Sequence, residues 1–119
     1  MRLIVGVDET DQGRRTLEEA VALARDVDWE FTVVVYSDEE PVSEVERAVR
    51  DHMSSLEVDT EVEPLADEPG SRLVELAEVG EYDCIMLPGG RKSPLGKISL
   101  NSTIEFVLLN AQTSVTLVR

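Results

Sequence analysis

Cysteine is almost missing from this chain: Cys84 is the only one in 119 residues. A lone thiol excludes an intramolecular disulfide and a cysteine-rich metal centre. It stands in the apolar run Cys84-Ile85-Met86-Leu87, where a buried, inert thiol is expected. Aromatic residues are also few, at 4%. The core must then be Val, Leu, Ile and Ala, as suits a parallel sheet covered by helices. No apolar run approaches the roughly 20 residues of a membrane span. The run Leu3 to Val7 stops at Asp8, too short for the core of a signal peptide. A cytoplasmic location is therefore expected. The length suits one domain, residues 1–119.

Lysine is the scarcest charged residue, with Lys92 and Lys97 alone. The 25 acids against 11 bases leave a net charge of −14. A surface of that sign repels nucleic acid and anionic lipid, so neither is expected as a partner. The acids could form a partner-binding face, or hold water and cations in a salt-rich cytoplasm. They are spread along the chain rather than gathered in a tail, which favours the second, halophile-type account. The spread stops at residue 83. Residues 1–83 hold 24 acids and 7 bases, a net of −17. Residues 84–119 hold only Glu105 against Arg91, Lys92, Lys97 and Arg119, a net of +3. A buried last strand and helix account for the missing acids. They do not account for three cations at 91, 92 and 97, which fit the attraction of an anion.

Alternation of strand and helix patterns runs the length of the chain. Arg2 to Val7 reads as a buried strand ending at Asp8. Thr10 or Asp11 can cap the helix that follows, with Leu17, Ala20, Val21 and Ala24 at helical spacing. Phe31 to Tyr36 is the second strand, and Pro41 suits the first turn of the second helix. Val58 to Leu65 reads as a short third strand, with Pro64 pointing to an edge. The turn Glu68-Pro69-Gly70-Ser71 opens a third helix, and Gly80 is its natural stop. Asp83 to Leu87 is the fourth strand, and Gly89 to Leu100 a loop. Ser102-Thr103-Ile104-Glu105 has the capping-box pattern of a fourth helix, and Thr113 to Val118 is the last strand. Such alternation implies a parallel sheet with helices on both faces. Right-handed crossovers put the first and fourth strands together at its centre. Ligands bind beyond the strand ends at that switch point, which puts Asp8 beside Leu87 to Gly90.

The loop there carries its own chemistry. Gly89 and Gly90 let backbone N–H groups approach a phosphate, and Arg91, Lys92 and Lys97 supply charge. A helix starting near Ser102 offers unpaired N–H donors, and Ser102 and Thr103 add hydroxyls. No Walker motif G-x-x-x-x-G-K-[S/T] occurs. The plain alternative is a strand-to-helix connection with Ser102 as a cap only.

The opening Leu3-Ile4-Val5-Gly6-Val7-Asp8, the pair Gly70-Ser71, the strand and loop after Asp83, and the end Asn101 to Leu108 resemble the universal stress protein family across essentially the whole chain. The resemblance implies a doubly wound α/β fold. Its five-stranded parallel sheet has the order 3-2-1-4-5 and is adenine nucleotide alpha hydrolase-like. It implies binding of ATP or a related adenine nucleotide, with magnesium carried by the phosphates. Asp8 matches the aspartate that contacts the nucleoside, and Met86 the apolar residue of the base pocket. Gly90 and Ser102 match the second glycine and the serine of the motif G-x2-G-x9-G-[S/T]. The first motif glycine falls on Leu87, or on Gly89 with altered spacing. Ten residues instead of nine follow Gly90, and the third glycine is Asn101. Asn tolerates a left-handed backbone there. Tyr36 stands where the family usually has a smaller apolar residue.

Two functions follow from the resemblance: a nucleotide-binding stress-response protein, or a homodimeric interaction module that binds no nucleotide and pairs through strand 113–119. A receiver-like phosphoacceptor domain would need an aspartate where Leu87-Pro88 ends the fourth strand. No carboxylate lies in the loop to position water, so hydrolysis has little support. His52, flanked by Asp51 and Met53, reads as a surface or half-buried residue rather than a base.

Overall fold

The computed structural model describes residues 1–89, 91–92, 98–99 and 101–119. Its elements run β1 (Arg2–Val7), α1 (Asp11–Val27), β2 (Glu30–Val35), α2 (Val42–Ser55), β3 (Val62–Pro64), α3 (Pro69–Val79), β4 (Cys84–Pro88), β5 (Arg91–Lys92), β6 (Ile98–Ser99), α4 (Ser102–Asn110) and β7 (Ser114–Val118). Five strands form one parallel sheet in the order β3-β2-β1-β4-β7. This is the expected 3-2-1-4-5 sheet.

Strand period explains the layers. Leu3, Val5 and Val7 of β1 point to one face, where they meet Leu17, Ala20 and Val21 of α1 and Val45, Val49 and Met53 of α2. Ile4 points to the other face, with Val34, Tyr36, Ile85 and Leu87. There α3 contributes Leu73 and Ala77, and α4 contributes Ile104 and Val107. Both faces are covered, so the central strands are apolar throughout.

Three expectations change, and the stop at Gly80 holds with a different geometry. The third strand is only Val62–Pro64, because the chain turns through Glu57 in a left-handed conformation and the Thr60 hydroxyl bonds the Phe31 carbonyl. The connection after β4 is not a plain loop. Arg91 and Lys92 pair with Ser99 and Ile98 as a small antiparallel hairpin, β5-β6. Gly80 does end α3 as its C-cap (φ −81°), but the left-handed residue of that turn is the next one, Glu81 (φ 54°). The bare Cα of Gly80 is needed because a Cβ would stand 2.4 Å from the Tyr82 ring. Finally, Cys84 is half-buried rather than buried, since it is the first residue of β4 at the sheet's rim. Among the described residues no helix is long and apolar enough to cross a membrane.

Candidate functional site

The tip of β1 delivers Asp8 to the switch point, where it is only 6% exposed. Its Oδ1 accepts hydrogen bonds from the Thr10 N–H at 3.1 Å and the Thr10 hydroxyl at 2.6 Å. The same hydroxyl oxygen accepts from the Gly13 N–H at 3.1 Å, so Thr10 is the N-cap of α1. One threonine therefore ties the carboxylate to the start of a helix. Gly13 completes the arrangement: a Cβ there would lie 2.5 Å from both Asp8 Oδ1 and the Asp8 carbonyl oxygen. A glycine inside a first helical turn is the sequence signal for such close approach. Burial raises the Asp8 carboxyl above its ordinary value; the Thr10 bonds lower it in part, and Glu9 and Asp38 add repulsion.

Glu9 behaves in the opposite way. Burial pushes its carboxyl up, but donors outweigh that and hold it below the ordinary value. The Ser37 hydroxyl and the N–H groups of Asp38 (3.2 Å) and Glu39 (3.4 Å) all reach Glu9 Oε2. This carboxylate thus fastens the β2–α2 turn to the β1–α1 turn. Its stabilisation is present above the unfolded value and lost as pH falls through the lower folded one. Glu9→Gln should cost about 1 kcal/mol at pH 7, a magnitude kept small by its partial exposure. Thermal melts at pH 7 and pH 3 check this: the gap between variant and parent should shrink in acid.

Tyr36 follows β2 and is fully buried, with its ring against the backbone of Gly6. Its hydroxyl has no hydrogen-bond partner among the described residues. Burial, then the nearby Asp8, Asp38 and Glu9 carboxylates, hold its pKa well above the usual phenol value.

The other expected site residues are distributed unevenly. Met86 packs in the core beneath α1 and α2. Leu87, at the position of the first motif glycine, is fully buried on the α3 and α4 side. The Gly89 N–H bonds the Val118 carbonyl at 2.6 Å, and a Cβ would meet that carbonyl at 2.9 Å. Gly89 therefore serves the close approach of β4 and β7. Arg91 and Lys92 are placed only as the β5 strand, and Gly90 and Lys97 lie outside the described residues. Asn101, Ser102 and Thr103 do open α4, but not as expected. Asn101 is the cap: its Oδ1 accepts from the Ile104 N–H at 2.9 Å, with an extended backbone (φ −80°, ψ 170°). Ser102 is the first helical residue. Asn caps at least as well as Ser, and one residue earlier it takes the donor first.

Among the described residues, two cavities border this end of the sheet. One of about 90 Å³ lies between α1 and α2, lined by Asp8, Glu9, Thr10, Glu40 and His52 among others. It has room for a few waters. His52 is half-buried there and pairs with Glu18 at 3.1 Å. The other, about 330 Å³, lies between the N-termini of α3 and α4. Among the described residues no group of three His, Cys, Asp or Glu side chains is placed to hold a metal ion.

The model of the family described as "Universal stress protein family" matches residues 1–119. No curated protein matches the chain. Several solved structures share its fold. A universal stress protein from Archaeoglobus fulgidus is 23% identical with a TM-score of 0.78, covering 100% of this chain and 98% of its own. A universal stress protein in complex with cAMP is 22% identical at TM-score 0.75, covering 100% and 96%. The Archaeoglobus fulgidus protein in complex with dAMP is 21% identical at TM-score 0.72, covering 100% and 98%. At these identities the likeness speaks for the fold.

Proposed function

Because the chain belongs to the universal stress protein family, we propose that it is a stress-response protein that holds an adenine nucleotide at the switch point between β1 and β4. The observation that carries the proposal is Asp8. A carboxylate kept buried at a strand tip, with Thr10 and Gly13 shaped around it, suits recognition of a nucleoside hydroxyl or base. The N–H groups that open α4, the Ser102 and Thr103 hydroxyls and the cations Arg91, Lys92 and Lys97 receive the phosphate. Magnesium, when the ligand is ATP, arrives with the phosphates. AMP is the favoured ligand, because Asn101 already occupies one α4 donor and leaves fewer for a triphosphate. The cAMP and dAMP complexes of similar proteins agree with a single-phosphate ligand.

Amide chemical shifts on titration with AMP test the placement. Signals from Asp8 to Gly13 and from Ser102 to Ile104 should move together and saturate. Movement at only one of the two segments would refute a nucleotide spanning both. A second expectation concerns the cap. Asn101→Gly should cost only a few tenths of a kcal/mol in stability. It should raise AMP affinity about fivefold, the worth of roughly one released hydrogen bond. Unchanged affinity by calorimetric titration would remove the Ile104 N–H from the phosphate end.

A homodimer through β7 is a second proposal, whether or not nucleotide binds. β7 is an edge strand, and α4 exposes Phe106, Leu108 and Leu109, the last at 84%. Light scattering at several salt concentrations should give a dimer mass, and Leu109→Lys a monomer. A monomer for the parent protein would contradict it.

A further inference from the structure

The α3 side of the sheet is left partly open toward its β3 edge. Ile4 pairs with Thr32, and Val34 with Glu63, so strand period sets these four residues and Glu61 on one face. α3 leans on α4, with Phe106 against Gly70, and does not close this flank. A cavity of about 230 Å³ remains between the last turn of α3 and the strands β2 and β3, with Tyr82 in its lining. It lies away from the switch point, since Ile4 comes four residues, about 13 Å of strand, before Asp8.

The polar side chains of this cavity are acceptors and hydroxyls. Its charged residues, among those described, are Glu61 and Glu63, with no lysine, arginine or histidine. Glu63 lies 3.7 Å from Arg72, which also holds Glu75 at 3.1 Å. Glu61 has no ion pair among the described residues. The Tyr82 and Thr32 hydroxyls share one hydrogen bond of 2.8 Å, which leaves lone pairs on both oxygens. α3 ends here with no basic residue in its own last turn, and the negative end of a helix favours a cation. Arg2 shows how this corner receives one. Its guanidinium lies 4.4 Å over the Tyr82 ring and donates to the Gly80 carbonyl, yet Arg2 does not line the cavity.

The apolar part of the lining decides what carries the charge. Val79 is 79% exposed, and Ile4, Val34 and Leu76 supply the rest of the apolar surface. A hydrated metal ion gains nothing from such side chains, whereas an apolar body does. A cavity of about 150 Å³ can take up benzene, so one ring with a short chain fits here.

We propose that this cavity is a binding site for a small organic cation, an ammonium group on an apolar body of one ring. The ammonium has three donors and no acceptor, and it lies toward Glu61, Glu63 and the Thr32–Tyr82 hydroxyl pair. The ring lies against Leu76 and Val79. Asp8 and the start of α4 take no part, so the site stands or falls separately from the nucleotide proposal.

The probe is 2-phenylethylammonium, followed by amide shifts on the full chain. It should shift Thr32, Glu63, Leu76, Val79 and Tyr82 together and saturate in the millimolar range. The neutral 2-phenylethanol should shift the same amides about fivefold more weakly, the worth of an exposed ion pair. Phenylacetate, an anion of the same shape, should give no saturable shift. Ethylammonium, which keeps the charge and lacks the ring, should also bind at least about fivefold more weakly than the probe. Glu61→Gln combined with Glu63→Gln changes only edge side chains, so the fold is kept, and ammonium and alcohol should then bind equally. Val79→Ser, at an exposed position, should weaken the probe about threefold. Absence of saturable shifts at these five amides would overturn the proposal. So would equal affinity of the parent protein for the probe and 2-phenylethanol, or an undiminished preference in the double variant. Ethylammonium or phenylacetate binding as tightly as the probe would overturn it as well, the first by reducing the effect to counter-ion attraction.

Discussion

Asp8→Asn should make the protein more stable at neutral pH while weakening its hold on AMP at least tenfold. The stability half rests on the carboxyl being raised by burial. Between the ordinary aspartate value, near 3.8, and its higher folded value, the native state binds more protons than the unfolded chain. Stability conferred by this group therefore falls as pH rises through that window, and above it the ionised carboxylate is a standing cost. Asn keeps an Oδ1 that accepts from the Thr10 N–H and hydroxyl, and it removes the buried charge. A gain of about 0.5–2 kcal/mol at pH 7 is expected, shrinking toward zero in acid. The affinity half rests on the charge itself. A hydrogen bond to an ionised acceptor contributes about 1.5–3 kcal/mol, which sets the tenfold lower bound. Denaturant melts at two pH values and an AMP titration read both halves. Destabilisation at pH 7 would mean that the charge is compensated in the native state.

Gly6→Ala should destabilise the fold by about 2 kcal/mol through overpacking. The new Cβ would stand 2.5 Å from Leu87 Cδ2 and 3.1 Å from Tyr36 Cε1, both in fully buried side chains. The entropy gained by removing a glycine from the unfolded chain, about 0.4–1 kcal/mol, is too small to offset that. Leu87→Ala alone should cost about 3 kcal/mol as a core truncation. In the double variant the methyl group added at position 6 moves into space that the Leu87 side chain has vacated. Its loss should be smaller than the two single losses together by at least about 1 kcal/mol. Denaturant melts of the three variants measure this, and simple additivity would contradict the interlock. The pair also explains why Leu87 departs from the motif glycine. At this tip β4 is built as core, so a glycine at 87 would open a cavity behind Gly6.

The sheet was readable because its signal is long and repeated. Five apolar runs alternate with helical stripes, and right-handed crossovers leave one central pair, β1 with β4. Asp8 was readable for the same reason, as the first polar residue after a buried strand. Two-residue strands such as β5 and β6 have no period to detect, so the hairpin was not legible. Asn101 and Ser102 are adjacent good caps, and only the backbone path chooses between them. The Glu9 bond to Ser37 joins residues 28 apart and leaves no local pattern. Gly89 was read as a member of a phosphate loop, yet it faces Val118, and Leu87, where the first motif glycine falls, faces the core. Motif spacing alone does not separate a glycine that meets a ligand from one that meets a neighbouring strand.

Calorimetric titration of the full chain with AMP, run beside Asp8→Asn at the same ionic strength, tests the central claim most directly. The parent protein should release saturable heat at one site per chain, and the variant should bind at least tenfold more weakly while remaining folded. No heat from the parent up to millimolar AMP, or equal affinity in the two proteins, would contradict a nucleotide site at Asp8.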